Sequence, residues 1–123
     1  MRRRILLVDD DEDGRSMLCD ALRSRGFDAD CVDSAGACLA RLTGSQVEVV
    51  VTDVQMPEMS GIELCGVLRT AHPAIQVIVI SGIGDTTTAA AARAMGALTF
   101  LPKPVRLSEL EVVLQHALSR ASS

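Results

Sequence analysis

Four short apolar runs, each ending in a residue capable of chemistry, constrain this chain more than any other feature. Ile5-Leu6-Leu7-Val8 leads into Asp9-Asp10-Asp11, Val49-Val50-Val51-Thr52 into Asp53, Val77-Ile78-Val79-Ile80 into Ser81, and Thr99-Phe100-Leu101-Pro102 into Lys103-Pro104. Runs this short and β-branched predict buried strands. They alternate with longer segments of helical spacing, which predicts an α/β fold with a parallel sheet. In an open sheet of that kind, sites form at the carboxyl ends of the strands. The pattern therefore gathers acidic groups, one hydroxyl and one ammonium at a single edge. Lys103 is also the only lysine in the chain.

The spacing predicts strands near Arg4–Val8, Ala29–Val32, Glu48–Thr52, Gln76–Ile80 and Leu98–Leu101. The first helix carries Met17, Leu18, Ala21 and Leu22 and stops at Gly26. The second is capped by Ser34, buries Ala37, Cys38 and Leu42, and ends at Gly44. The third starts after Ser60, carries Ile62, Leu64, Cys65 and Leu68, and ends before His72-Pro73. The fourth covers Asp85–Met95 and ends at Gly96. The fifth begins after Leu107 with Ser108 as N-cap and Glu111 at the capping-box position. Its apolar face is Leu110, Val113, Leu114, Ala117 and Leu118, and residues 119–123 read as a tail or the start of a linker. Right-handed crossovers put helices on both faces of the sheet. The pattern leaves two common strand orders open. One of them, 2-1-3-4-5, places its switch point between strands one and three.

The 123 residues fit one domain, and 48% hydrophobic content supplies its core. A net charge of −4 argues against a nucleic-acid-binding surface. Arg2-Arg3-Arg4 reads as a solvated lead-in to the first strand. No stretch reaches the roughly 18 apolar residues that span a bilayer, and the acids after Val8 do not suit a signal peptide. Cys19, Cys31, Cys38 and Cys65 form no Cys-x-x-Cys pair, and neither histidine lies at zinc-ligand spacing from them. They read as free thiols that behave as small buried hydrophobes in a cytoplasmic protein.

Crowded carboxylates repel, by about 4 kcal/mol per pair at about 4 Å and an effective dielectric of ~20. A cation is needed to keep them ionised, and an all-oxygen site suits Mg²⁺. Asp10 and Asp53 are the best direct ligands, with Asp9 acting through water and a backbone carbonyl near Gln55 adding an oxygen. A metal site alone needs neither Ser81 nor Lys103, and the two suggest that an anion arrives as well. Metal, ammonium and hydroxyl would together neutralise a phosphoryl group in transfer. Asp53, at the end of the central strand, is the candidate nucleophile. Each piece has an ordinary explanation when taken singly: helix-start acids for Asp9-Asp10-Asp11, turn residues for Asp53 and Ser81-Gly82, a solvated side chain for Lys103. Four such coincidences at successive strand ends are far less probable than one site.

Leu7-Val8-Asp9-Asp10-Asp11, the stretch Asp53-Val54-Gln55-Met56-Pro57-Glu58-Met59-Ser60-Gly61, Ser81-Gly82 and Phe100-Leu101-Pro102-Lys103-Pro104 together resemble the receiver domain of bacterial two-component response regulators. The resemblance covers about residues 3–120. Ser81-Gly82-Ile83-Gly84-Asp85 with Phe100–Pro104 is most similar to receivers of nitrogen-regulation transcription regulators. It implies a doubly wound flavodoxin/CheY-like sheet in the order 2-1-3-4-5. It also implies a phosphorylation switch in which Asp53 accepts a phosphoryl group from a sensor histidine kinase. Asp9, Asp10, Asp53 and the Gln55 carbonyl would hold Mg²⁺, and Ser81 and Lys103 would bind phosphoryl oxygens. The Lys103–Pro104 bond is expected to be cis. Ser81 and Phe100 would form the switch that changes the surface of helix four, strand five and helix five. That surface is the expected homodimer or partner face. An output domain or effector would lie outside this chain, as would any DNA contact. Phe100 lacks the tyrosine hydroxyl of many relatives, and Ser81 stands for the commoner threonine. Ile83 and Gln55 occupy positions that tune phosphoryl lifetime in the family, and apolar Ile83 is expected to lengthen it.

Three other readings compete. A haloacid-dehalogenase-like phosphatase would need an acid where Gln55 stands. A flavin module would need a phosphate-binding loop where Asp9–Asp13 stands, and aromatics to flank the ring. An interaction module that keeps the receiver fold without phosphorylation remains the nearest alternative, against which stands the competent residue at every site position.

Overall fold

Along each central strand, alternate residues enter two different cores, and this alternation organises the molecule. The computed structural model describes residues 4–43, 46–82 and 86–121. Five strands and five helices alternate in it: β1 Arg4–Val8, α1 Glu12–Ser24, β2 Asp28–Val32, α2 Ala35–Leu42, β3 Val47–Asp53, α3 Gly61–Ala71, β4 Gln76–Ser81, α4 Thr86–Ala94, β5 Thr99–Pro102 and α5 Leu107–Ala121. The strands are all parallel, in the order β2-β1-β3-β4-β5. This is the doubly wound order with its switch point between β1 and β3.

Ile5, Leu7, Val49, Val51, Ile78 and Ile80 pack under α1 and α5, against Cys19, Leu22, Leu110, Leu114 and Leu118. Leu6, Val8, Val50, Val77 and Val79 face the other way, onto Cys38, Leu42, Leu64, Leu68 and Ala92 of α2, α3 and α4. A strand buried on both faces needs apolar residues at every position, which is why β1, β3 and β4 read as unbroken apolar runs.

Local chemistry sets the helix ends. Ser60 and Glu63 form a reciprocal capping box at α3: Glu63 N–H donates to Ser60 Oγ at 3.1 Å, and Ser60 N–H donates to Glu63 Oε1 at 3.2 Å. Ser60→Ala removes one of these bonds and is expected to cost about 1 kcal/mol, a fall of about 4 °C in Tm by calorimetry. An unchanged Tm would mean that the cap contributes nothing. Gly26 and Gly96 follow α1 and α4 with φ of 91° and 101°, a left-handed turn that a side chain would strain.

Several expectations need correction. On α1 the deeply buried residues are Cys19 and Leu22; Leu18 and Ala21 are half-buried and Met17 is 73% exposed. The sheet covers only the stripe that carries Cys19 and Leu22. On α2 the first buried residue is Ala35, with Ala37 only half-buried. Ser108 is not the N-cap of α5. The helix begins at Leu107, and the Leu110 N–H already donates to the Arg106 carbonyl at 3.0 Å. Glu111 instead pairs with Arg25 at 2.9 Å. Residues 119–121 continue α5, held by buried Ala117 and Leu118 and by Arg120 donating to Gln76 at 3.4 Å. Arg2 and Arg3, the expected stop at Gly44, the segment Ile83-Gly84-Asp85 and Ser122-Ser123 lie outside the described residues.

All four cysteines are free, three of them buried and Cys31 half-buried. Burial pushes the Cys38 thiol up to about 12 and Cys65 up to about 11. Burial, with the neighbouring Cys31 thiol, pushes Cys19 up to about 11. Thiolate is the reactive form. An aromatic disulfide reagent at pH 8 is therefore expected to label Cys31 first and the other three only on unfolding. Simultaneous reaction of all four in the native protein would contradict this.

Candidate functional site

The carboxyl ends of β1, β3 and β5 lie along one edge of the parallel sheet, β1 beside β3 and β5 beyond β4. Asp9 leaves β1 just after Val8, where its N–H still donates to the Val32 carbonyl at 3.2 Å. Asp53 closes β3. By the two-residue period, Asp9 and Asp53 continue the Ile5–Leu7 and Val49–Val51 series and so share a face of the sheet. Asp9, Asp10 and Asp53 each bring a carboxylate oxygen within 4.8 Å of the others. Asp9 and Asp53 are each only 9% exposed, while Asp10 faces solvent.

Lys103 supplies the positive charge. Its Nζ donates to Asp53 Oδ2 at 2.9 Å and lies 4.0 Å from Asp9 Oδ2. Its backbone N–H donates to the Ser81 carbonyl at 2.8 Å, which ties it to the end of β4. The Lys103–Pro104 peptide is cis. Burial works against the ammonium, but the hydrogen bond and charge of Asp53, with the charges of Asp9 and Asp11, outweigh it. The Lys103 pKa therefore lies above the ordinary lysine value, and the side chain stays charged at neutral pH. Asp9 moves up as well. Burial is the main cause, aided by the charges of Asp53 and Asp10 and opposed by the Asp11 N–H and by Lys103. Three carboxylates facing one ammonium leave an excess of negative charge on an all-oxygen donor set, which fits a hard divalent cation.

Ser81 is fully buried at the end of β4. Phe100 is half-buried and packs against the core beneath α2–α4. Gln55 is exposed and lines an opening beside Asp10, Asp53, Met56 and Ser60. The acidic triplet divides its labour. Asp11 caps α1, its Oδ2 accepting the Gly14 N–H at 3.0 Å, while Asp9 and Asp10 join the cluster.

Some supporting residues were not visible in the sequence pattern. Arg15 donates from its guanidinium to the Asp9 carbonyl at 2.9 Å and so holds the end of β1. Thr52 Oγ1 donates to the Asp53 carbonyl at 3.0 Å. Gly61 sits so close beneath Asp53 that a Cβ there would run into the Asp53 carbonyl. Gly61 stood in the sequence as the last residue of the stretch Asp53–Gly61 that carries the resemblance, with no role attached to it. Arg15 carried no signal, because its partner is a backbone atom.

A family model described as the response regulator receiver domain matches residues 5–115. The chain belongs to this family. Among curated relatives, the receiver is 34% identical over 119 residues to Regulatory protein AtoC of Escherichia coli K12, covering 97% of this chain and 26% of that protein. It is 33% identical over 115 residues to the DNA-binding transcriptional regulator NtrC of Azospirillum brasilense, covering 94% of this chain and 24% of that one. The chain thus spans about a quarter of the length of these two regulators. Among solved structures it matches the beryllofluoride-activated NtrC4 receiver domain dimer with a TM-score of 0.89 and 30% identity, covering 96% of this chain and 98% of the other. Receiver domains of response regulators are regulatory domains of phosphorylation-based signalling, and this chain shares their fold and strand order. Among the described residues, no helix is long and apolar enough to cross a membrane.

Proposed function

We propose that Asp53 accepts a phosphoryl group from the phosphohistidine of a sensor kinase, and that the new anion switches the receiver between two surfaces. The observation that carries this reading is the 2.9 Å pairing of Lys103 with Asp53 inside the cluster of three carboxylates. Lys103 keeps the Asp53 carboxylate oriented and stands ready to neutralise an incoming phosphoryl oxygen. Asp9 and Asp10 would hold Mg²⁺ with Asp53 and the Gln55 carbonyl. When bound, the ion would supply the further positive charge that lets a dianion approach carboxylates. The buried Ser81 hydroxyl would donate to the phosphoryl group. Its movement would open space for Phe100 to turn inward, altering the α4–β5–α5 face. The domain promotes only its own phosphoryl transfer and hydrolysis.

The signal would pass to an output domain or effector outside this chain, and a homodimer through α4–β5–α5 accords with the NtrC4 receiver dimer. The apolar Ile83 would slow water attack on the phosphoryl group. A cytoplasmic location accords with four free thiols.

Incubation with Mg²⁺ and acetyl phosphate is expected to add the mass of one phosphoryl group, and a chelator is expected to abolish the gain. No gain in Mg²⁺ from either acetyl phosphate or a phosphorylated histidine kinase, with circular dichroism unchanged, would leave the interaction module as the better reading.

A further inference from the structure

Asp53 opens onto two clefts of different character. One is bordered by Asp10, Gln55 and Ser60 and suits a hydrated cation. The other has a volume of about 660 Å³ and runs between α1 and the start of α5. At one end stand Asp9, Asp53 and Lys103, while its walls are apolar. Leu18, Ala21, Val105 and Leu107 are half-buried along it, and Met17 stands 73% exposed at its rim. A volume of several hundred cubic ångströms, apolar walls and a few polar groups at one end describe a small-ligand site.

Gly14 stands where the apolar part meets the charged end. A Cβ at this position would lie 2.7 Å from Asp11 Oδ2 and 3.9 Å from Asp9 Oδ2. A larger side chain would fill the junction and cut the apolar walls off from Asp53. Gly14 lies in the first turn of α1, where glycine is the poorest helix former except proline. Its value at this position is the space it leaves.

We propose that this cleft is a subsite for the hydrocarbon chain of a small acyl phosphate, and that Gly14 is the specificity-determining residue that keeps it joined to the reacting carboxylate. The proposal rests on Asp53 being the phosphoacceptor. Lys103, together with the cation that the carboxylate cluster would hold, offsets the negative charge at this end and receives the phosphoryl oxygens, and the apolar walls receive the chain beyond the carbonyl. A carboxylate oxygen of Asp53 attacks phosphorus, and the bond from phosphorus to the acyl oxygen breaks. The electron pair leaves on that oxygen as a free carboxylate, and no proton changes hands. Attack and departure are in line, so the leaving carboxylate lies on the far side of phosphorus from Asp53 and its chain can follow the cleft.

The test compares acetyl, butyryl and hexanoyl phosphate as donors in Mg²⁺, with phosphorylation followed by intact mass. Burial of a methylene is worth about fourfold in binding at most. The half-saturating concentration is expected to fall at least ~10-fold from acetyl to hexanoyl, with the maximal rate little changed, because the chain binds ground and transition states alike. Gly14→Leu is expected to collapse this chain-length ratio to about 1–2. Met17→Asp, a change at an exposed position that threatens folding less, is expected to reduce it as well. A flat dependence on chain length in the wild type would overturn the subsite and leave the cleft to a protein partner. Equal losses for acetyl and hexanoyl phosphate in Gly14→Leu, with Met17→Asp unchanged, would also overturn it. No uptake from any of the three acyl phosphates, with a phosphorylated histidine kinase still loading Asp53, would overturn the subsite alone; no uptake from either kind of donor would fail Asp53 as acceptor, and the subsite with it.

Discussion

Asp53→Ala is expected to abolish covalent phosphoryl uptake altogether, and Lys103→Met to slow it by about 10²–10³-fold without abolishing it. The two differ because they do different work. Asp53 would form the bond, and among the described residues the other carboxylates of the cluster, Asp9 and Asp10, lie just beyond the end of β1 rather than at the end of the central strand. Lys103 would only lower the barrier, by placing an ammonium where phosphoryl charge gathers, and any cation held by Asp9 and Asp10 would keep part of that stabilisation. A time course by intact mass with acetyl phosphate and Mg²⁺ separates the outcomes. A phosphoryl adduct of full stoichiometry in Asp53→Ala would move the acceptor elsewhere. A wild-type rate in Lys103→Met would reduce the 2.9 Å pair to a resting-state contact.

Gly61→Ala is expected to destabilise the fold by about 1–3 kcal/mol and to slow phosphorylation as well. Alanine is ordinarily the better helix former, so propensity alone predicts a gain of about 1 kcal/mol. Packing decides the sign. The new Cβ would meet the Asp53 backbone carbonyl, with Thr52 Oγ1 only 3.1 Å away. These neighbours are not flexible tips. The carbonyl accepts from Thr52 Oγ1 at 3.0 Å, and Gly61 N–H itself donates to the Val54 carbonyl at 2.9 Å. Either α3 lifts from the sheet or the end of β3 shifts, and the second carries Asp53 away from Lys103. Denaturant unfolding measures the first effect and the phosphorylation rate the second. A stabilised Gly61→Ala with normal uptake would show that helix propensity outweighs the close approach.

The sheet was legible in the sequence because β1, β3 and β4 are covered on both faces, and double coverage demands the unbroken apolar runs that announce a buried strand. The candidate site residues were legible for a related reason: Asp9, Asp53 and Ser81 stand where those runs stop, and Lys103 directly follows β5. The helix faces were less clear. Met17 and Ala37 fit the helical period yet lie toward the edge of the contact, since periodicity gives direction but not the width of the stripe that a sheet covers. The expected cap at Ser108 failed because a serine three residues before a glutamate is a local signal. The Arg106 carbonyl had already started α5 two residues earlier, and Arg25 on another helix end claimed Glu111.

What the amino-acid order determined by itself was the alternation of strands and helices, the polarity of the sheet's two ends and the list of groups at one of them. Each follows from burial and backbone periodicity, which act over a few neighbouring residues. Periodicity left two strand orders open, and the order taken is the one that the resemblance implied; only the tertiary structure decided the division of the triplet into a cap and two clustered carboxylates, and the approach of Lys103 to Asp53. It also decided the clearances at Gly14 and Gly61. These depend on distances between atoms far apart in the chain, and a glycine's absence of side chain acquires meaning only when the atoms that would meet it are in place.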